Sequence, residues 1–382
     1  MEYRTLGRTG LKVSAIALGC EGFMNRTAAA VRADFDFALG NGINFLDLYA
    51  SNPELRSNIG AALAGRREKF VIQGHLCSVW EAGQYLRTRD PQKTLAAFED
   101  LLARLGTDYL EIGMIHYVDA EADLRKVLDG PVLRLAQKLK SEGRIRHIGM
   151  SSHNPVVARM AAETGAIDVL MFSVNPCYDL LPPSDDADKL WAGESYARSL
   201  HNIDPERQRL YEFCEREGVA VDVMKAYGGG DLLSDADSPF GRPMTPVQCL
   251  EYALTRPGVA AVMAGCRSRA EMQAALAWCT APAAERDYTQ ALAGLDRFSW
   301  EGHCMYCGHC APCTAGIDIA AVNKYYNLAR AQDEVPETVR EHYRVLPHHA
   351  SECIACGRCE KNCPFGVDIV GHMRRAAAKF GY

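Results

Sequence analysis

The sequence predicts an α/β fold: a (β/α)8 TIM barrel over residues 1–282, followed by a smaller all-α module over 283–382. Three observations carry this. From residue 13 to about 280, short β-branched runs alternate with amphipathic stretches, which is the punctuation of βα units. Eight such runs can be counted, and eight parallel strands close a barrel. Of the 15 cysteines, eight fall between residues 304 and 363, so the end of the chain obeys a different chemistry.

The expected strands are 13–18, 44–48, 70–73, 109–115, 146–150, 169–174, 219–224 and 259–264. Between them lie helical stretches at 53–64, 91–105, 131–141, 155–163, 205–217 and 246–255, each opening on proline. Proline suits the first helical turn, where its missing N–H leaves no bond unmade. Gly42, Gly65, Gly106, Gly143, Gly165 and Gly218 fall between helix and strand, as left-handed caps do. Ahead of the first strand, residues 3–13 read as a hairpin able to plug one barrel mouth. Residues 175–204, with Pro176, Pro182 and Pro183, form a connection long enough for a lid or binding element.

Composition narrows the function. Hydrophobic residues make up 48% and charged residues 24% of the 382, enough apolar material for a large core. A net charge of −6 offers no basic field for a phosphate backbone, so nucleic acid is not an expected partner. No apolar run is long enough for a membrane span. The polar amino terminus has no secretory pattern, and crowded thiols suit a reducing compartment, so a cytoplasmic location is expected.

The second cysteine run, Cys353-x-x-Cys356-x-x-Cys359-x-x-x-Cys363-Pro364, has the spacing of a bacterial ferredoxin [4Fe–4S] site. The first, Cys304-x-x-Cys307-x-x-Cys310-x-x-Cys313, is one residue tighter at its last step and lacks the proline. Four thiolates also suit structural zinc, but zinc knuckles want two pairs separated by a loop. In two-cluster ferredoxins the fourth cysteine of each run ligates the other cluster. Cys304, Cys307, Cys310 and Cys363 are therefore assigned to one [4Fe–4S] centre. Cys353, Cys356, Cys359 and Cys313 are assigned to the second. Helical periodicity at 319–332 and 336–343 makes the module an all-α ferredoxin-like domain. The other seven cysteines read as small buried hydrophobes.

In a barrel the chemistry gathers at the carboxyl ends of the strands. Asp47, His75 and His116 stand there, close enough to share a pocket floor. A carboxylate beside an imidazole holds it for proton transfer.

Tyr-Arg-Thr-Leu-Gly-Arg-Thr-Gly at 3–10, Asn-Phe-Leu-Asp-Leu at 44–48, Gly-Arg-Ile-Arg-His-Ile-Gly-Met-Ser at 143–151, Lys225 with Gly228-Gly229-Gly230, and Gly265-Cys266-Arg267-Ser268 extend over nearly the whole chain. Together they resemble the aldo-keto reductase family, in its ferredoxin-bearing branch. That resemblance implies a nicotinamide cofactor across the barrel mouth and an Asp, Tyr, Lys, His tetrad. Asp47 and His116 match the tetrad. Asn52 stands where the tyrosine is expected, and Gln73-Gly74-His75 stands where the lysine is expected. Tyr49 is a candidate substitute for the missing acid. At the cofactor site Ser151, Ser152, Lys225, Arg267 and Ser268 are the matching positions, so NADP(H) stays an open cofactor.

These readings converge on an iron–sulfur oxidoreductase. A small carbonyl, hydroxyl or sugar-like substrate would sit in the barrel, with electrons passed through two [4Fe–4S] clusters and a possible ferredoxin- or flavodoxin-type partner protein. Two alternatives remain. One is an NADP(H)-dependent reductase with structural clusters. The other is non-redox lyase or epimerase chemistry, or metal-dependent catalysis, by Asp47, His75 and His116.

Overall fold

The computed structural model describes residues 1–293, 295, 297–330 and 335–382. Eight parallel strands close a barrel in sequence order: Ile16–Gly19, Phe45–Leu48, Val71–Leu76, Leu110–Ile115, Ile145–Ser152, Val169–Ser173, Ala220–Met224 and Val259–Gly265. All eight expected strands exist. The boundary of the first is corrected, because Val13 belongs to Lys12–Ser14, which pairs antiparallel with Tyr3–Thr5. Ser14 and Asn44 exchange backbone-to-side-chain hydrogen bonds of 2.7 and 3.2 Å, and the chain turns into the barrel only after Ala15. The third strand runs past 73 to Leu76, so His75 lies within it.

Helices fill the outer ring. Pro53–Leu63, Pro91–Leu105, Pro131–Ser141, Pro155–Glu163, Pro205–Glu217 and Pro246–Leu254 open on proline, and Ala28–Gly40 and Arg269–Leu276 open after a capping Thr27 and Ser268. The six cap glycines all have positive φ, a conformation a Cβ disfavours.

Two apolar layers result. Between strands and helices runs the main core. Inside the barrel, Ala17, Phe45, Ile112, Met114, Val169, Met171, Ala220, Ala261 and Met263 fill the bore, and the hairpin's Leu6 and Val13 pack beneath them. Because side chains alternate along a strand, Phe45 and Asp47 share the inward face one layer apart, as do Ile112 and Met114 on their strand. The apolar floor therefore lifts a polar layer to the carboxyl-terminal mouth.

A second hairpin follows the third strand. Ser78–Glu81 pairs with Gln84–Arg87 across a turn with Ala82 at φ 51° and Gly83 at φ 79°, the double positive φ of tight hairpin turns. The expected loop 175–204 contains three short 3₁₀ turns, and its Leu200–His201 pairs in parallel with Phe298–Ser299 of the segment leading to the cysteine runs.

The carboxyl-terminal module contains helices Ile319–Arg330, Glu337–Arg344, the short Arg358–Asn362 and Ile369–Phe380. Positions 331 and 332 of the expected 319–332 helix lie outside the described residues. This module is held to the barrel flank at the amino-terminal rim. Arg256, in the turn entering the eighth strand, and Tyr288 both donate to the Met305 carbonyl, at 2.5 and 2.8 Å. Lys324 pairs with Glu215 at 2.7 Å.

Helices Pro53–Leu63 and Pro91–Leu105 cross at Gly60, where a Cβ would lie 1.9 Å from the Arg104 carbonyl oxygen. Gly60→Ala should destabilise the barrel by about 1–3 kcal/mol through overpacking. An unchanged urea midpoint by circular dichroism would contradict this contact.

Candidate active site

The polar layer at the mouth forms a line. Asp47 Oδ1 lies 3.0 Å from His75 Nε2. His75 Nδ1 lies 2.6 Å from His116 Nδ1, and His116 Nε2 lies 2.6 Å from the Tyr85 hydroxyl. Both ring nitrogens of each histidine are engaged, so Asp47, His75 and His116 are strung in series rather than gathered round a point. Among the described residues no three His, Cys, Asp or Glu side chains are placed to hold a single metal ion. The expectation of a two-imidazole, one-carboxylate metal site is corrected on this geometry.

The local sequence explains the line. Gly74 lies between Gln73 and His75 because a Cβ there would meet Leu110 at 2.5 Å and Leu101 at 2.8 Å. Gln73 and His75 thus face the bore together. Gln73 Nε2 donates to Asp47 Oδ1 and to Asp222 Oδ2, both at 2.9 Å. Burial, with Asp47 nearby adding to it, drives the Asp222 carboxyl well above the carboxylate range, so it is a neutral acid. Burial, with His75 next in effect, pushes His116 well below the usual imidazole range, so its ring is neutral.

Tyr85 comes from the second hairpin. Arg87 donates to the Tyr117 carbonyl at 2.9 Å, and Arg89 to the His116 and Tyr117 carbonyls at 2.9 and 2.8 Å. These bonds clamp the hairpin over the fourth strand. Sequence reasoning passed over Tyr85. The available signal was the Ala82-Gly83 pair between two strand-like runs.

Other expected residues are placed elsewhere. Asn52 caps helix Pro53–Leu63, its Oδ1 accepting from the Leu55 N–H at 2.8 Å, so it is outside the line. Tyr49 stacks parallel to His116 with centroids 5.8 Å apart. Burial and a hydrogen bond to Glu21 raise its phenol pKa, as burial also raises that of Tyr85. Ser151 Oγ accepts from the Tyr117 N–H at 2.8 Å, and Ser152 Oγ donates to Asp119 at 3.0 Å. Lys225 has φ 64° and lies over the Trp191 ring. Arg267 and Ser268 are exposed at the start of helix Arg269–Leu276, with Ser268 capping it. A cavity of about 740 Å³ opens beside Gly228, between Trp191, Tyr196, Phe240 and Arg297. None of the four residues of the line borders it, so its size alone does not mark the chemistry.

The cysteines fall into two sets. Burial pushes Cys304 up to about 12, with Cys307, Cys310 and Cys363 each adding to the effect. Those four thiols are therefore mutual neighbours. Cys313, Cys353, Cys356 and Cys359 line a common cavity with Ile317, Ile319 and Met373. Thr314 Oγ1 approaches Cys356 Sγ at 3.6 Å, tying the end of the first run to the second. Each set is thus three cysteines of one run and the last of the other, which fits the interleaved ligation of a two-cluster module. Of the remaining cysteines, all but the half-buried Cys279 are buried.

Fold and cysteine sets define a barrel oxidoreductase with an iron–sulfur module. Residues 15–248 match the aldo/keto reductase family, and residues 303–368 match a 4Fe-4S dicluster domain. The chain belongs to the aldo/keto reductase family. It is 28% identical over 179 residues to the uncharacterized oxidoreductase YqkF of Bacillus subtilis, covering 45% of this chain and 56% of that one. It is 28% identical over 163 residues to L-galactose dehydrogenase of Arabidopsis thaliana, covering 40% and 48%. The chain thus spans about half the length of the curated relatives it matches. Among solved structures, aldo-keto reductase AKR11C1 from Bacillus halodurans, in its holo form, matches with TM-score 0.59 and 25% identity over 76% of this chain and 95% of that one. PA4992, a putative aldo-keto reductase of Pseudomonas aeruginosa, matches in fold with TM-score 0.54 and 22% identity over 72% and 95%.

A neutral buried His116 ties stability to pH. The unfolded chain takes up that proton below about pH 6.5 while the fold refuses it, so stability falls as pH drops, at up to about 1.4 kcal/mol per unit. His116→Gln should flatten the slope. Urea midpoints of both proteins at pH 7.5 and 5.5 measure it, and equal slopes would refute a neutral His116.

Proposed function

We propose that this protein is an iron–sulfur oxidoreductase acting on a small carbonyl, hydroxyl or sugar-like substrate at the barrel mouth, with electrons exchanged through two [4Fe–4S] clusters. The carrying observation is the pairing, in one chain, of a hydrogen-bonded line of proton-holding groups with two four-thiol sets. The residues fit clusters: Cys304, Cys307, Cys310 and Cys363 would hold one, and Cys353, Cys356, Cys359 and Cys313 the other. Bound there, they supply single-electron transfer. The protein's own contribution is on the proton side. Asp47 orients His75, which stands where the family resemblance leads to a lysine, His75 orients His116, and Gln73 holds Asp47 with a neutral amide. Asn52, fixed as a helix cap, leaves the tyrosine position of that tetrad without an acid.

The barrel, to about residue 282, binds substrate, and the module from 283 serves electrons. Its exposed flank is where a ferredoxin- or flavodoxin-type partner would dock. No described helix is long and apolar enough to cross a membrane.

A second reading, NADP(H) binding, is favoured by Arg267 and Ser268, exposed at a helix start where a phosphate is well received. Against it, the Ser152 hydroxyl at the nicotinamide end is already bonded to Asp119.

Two experiments test the proposal. Anaerobic purification should give about eight irons and eight sulfides per chain, and Cys313→Ser or Cys363→Ser should each reduce the count by perturbing one centre. Zinc in place of iron would end the redox reading. Separately, clusters reduced with dithionite and freed of excess should be reoxidised by members of a panel of small aldehydes and hydroxyketones, glyceraldehyde among them. Asp47→Asn or His116→Ala should slow this by at least about a hundredfold with iron content unchanged. Unaltered rates would remove the mouth from the mechanism.

A further inference from the structure

We propose that Tyr85 is a catalytic acid–base residue. Its phenol meets the substrate oxygen and passes that proton through His116 and His75 to Asp47. The inference rests on the reading of the barrel mouth as the substrate site.

The hydrogen bonds fix the direction of the line. Each contact places one hydrogen between two heavy atoms, and a carboxylate offers only lone pairs. His75 therefore donates from Nε2 to Asp47. In this proposal His75 carries one ring hydrogen, so its Nδ1 is bare and His116 donates to it from its own Nδ1. That leaves His116 Nε2 bare, and it accepts the Tyr85 hydroxyl hydrogen. Both tautomers follow from the network. The line has one polarity.

Exposure identifies the working end. Asp47 and His75 are 3% exposed and His116 8%, whereas Tyr85 is 37% exposed. A substrate oxygen reaches the line at Tyr85, whose own oxygen keeps lone pairs free while its hydrogen points to His116. Tyr49 lies between the same rings, but its hydroxyl is turned to Glu21. The Arg87 and Arg89 clamps keep the phenol in register with His116.

The step balances. In the oxidative direction the substrate O–H bond breaks and its proton goes to the Tyr85 oxygen. The former Tyr85 hydrogen moves to His116 Nε2, the His116 Nδ1 hydrogen to His75 Nδ1, and the His75 Nε2 hydrogen to Asp47. Asp47 becomes a neutral acid and the substrate an alkoxide, so proton and charge balance across the line. Reversed, the same four hops protonate the alkoxide oxygen. No histidine carries a lasting positive charge in either direction.

The test uses full-length protein labelled with [15N]histidine and purified without air. Long-range 1H–15N correlation spectra are assigned through the signals lost in His75→Gln and His116→Gln. His116 is expected protonated at Nδ1 and bare at Nε2, with His75 the reverse. Tyr85→Phe should move the His116 Nε2 resonance toward that of an unbonded lone pair. It should also slow cluster reoxidation by the panel compound that works best in the parent at least about a hundredfold. Leu86→Ala, on the outer face of the same hairpin strand, should change neither. A hydrogen on His116 Nε2, an unmoved resonance or an undiminished rate in Tyr85→Phe overturns the proposal. Iron and sulfide content separates the two readings: intact clusters with the wrong tautomers remove the Tyr85 line alone, and missing clusters remove the redox reading while the tautomers still decide the line.

Discussion

Two buried imidazoles face each other nitrogen to nitrogen at 2.6 Å, and only one hydrogen fits between them. Everything else at the mouth accommodates that constraint. Two facing hydrogens would clash, and two bare nitrogens would repel, so the rings are forced into opposite tautomers. Burial keeps the His116 ring from resolving the conflict by taking up a second proton. Around them the neighbours are neutral or acceptors: the Gln73 amide, the neutral Asp222 acid and the Asp47 carboxylate. An ammonium at the Gln73 position would compete with His75 for the same Asp47 oxygen.

The polar layer and the thiol sets occupy different parts of the molecule. The polar layer crowns the bore at the strands' carboxyl ends, raised by the Phe45, Ile112 and Ala220 layer below it. The cysteine module grips the amino-terminal rim through Arg256, Tyr288 and Lys324. The hydrogen-bonded line therefore stands at the mouth while the thiol sets stand on the flank.

Much of this was legible in the sequence for physical reasons. Strand order follows from periodicity and from glycines that must adopt positive φ, both local properties. The thiol sets follow largely from spacing, because three-residue steps already bring the thiols of one run together. What escaped depended on contacts between distant segments. Val13 reads as barrel strand until the Ser14–Asn44 exchange diverts it. Asn52 looks like a replaced catalytic group, but locally it is a helix cap before a proline. Tyr85 was passed over because the Ala82-Gly83 pair marks a turn but not its partner, and only the folded hairpin brings the phenol to His116. His75 was identified by position, though not its place as the middle link.

The Ala82-Gly83 turn has one more implication. Alternation along a strand means that shifting a two-stranded ribbon by a single position turns each side chain to the opposite face. Lengthening this loop by one residue would rotate Tyr85 outward and bring Leu86 against the imidazole, sealing the buried groups under an aliphatic cap. The smallest edit that takes the phenol away from the imidazole thus lies in a solvent-facing bend and alters none of the interior atoms.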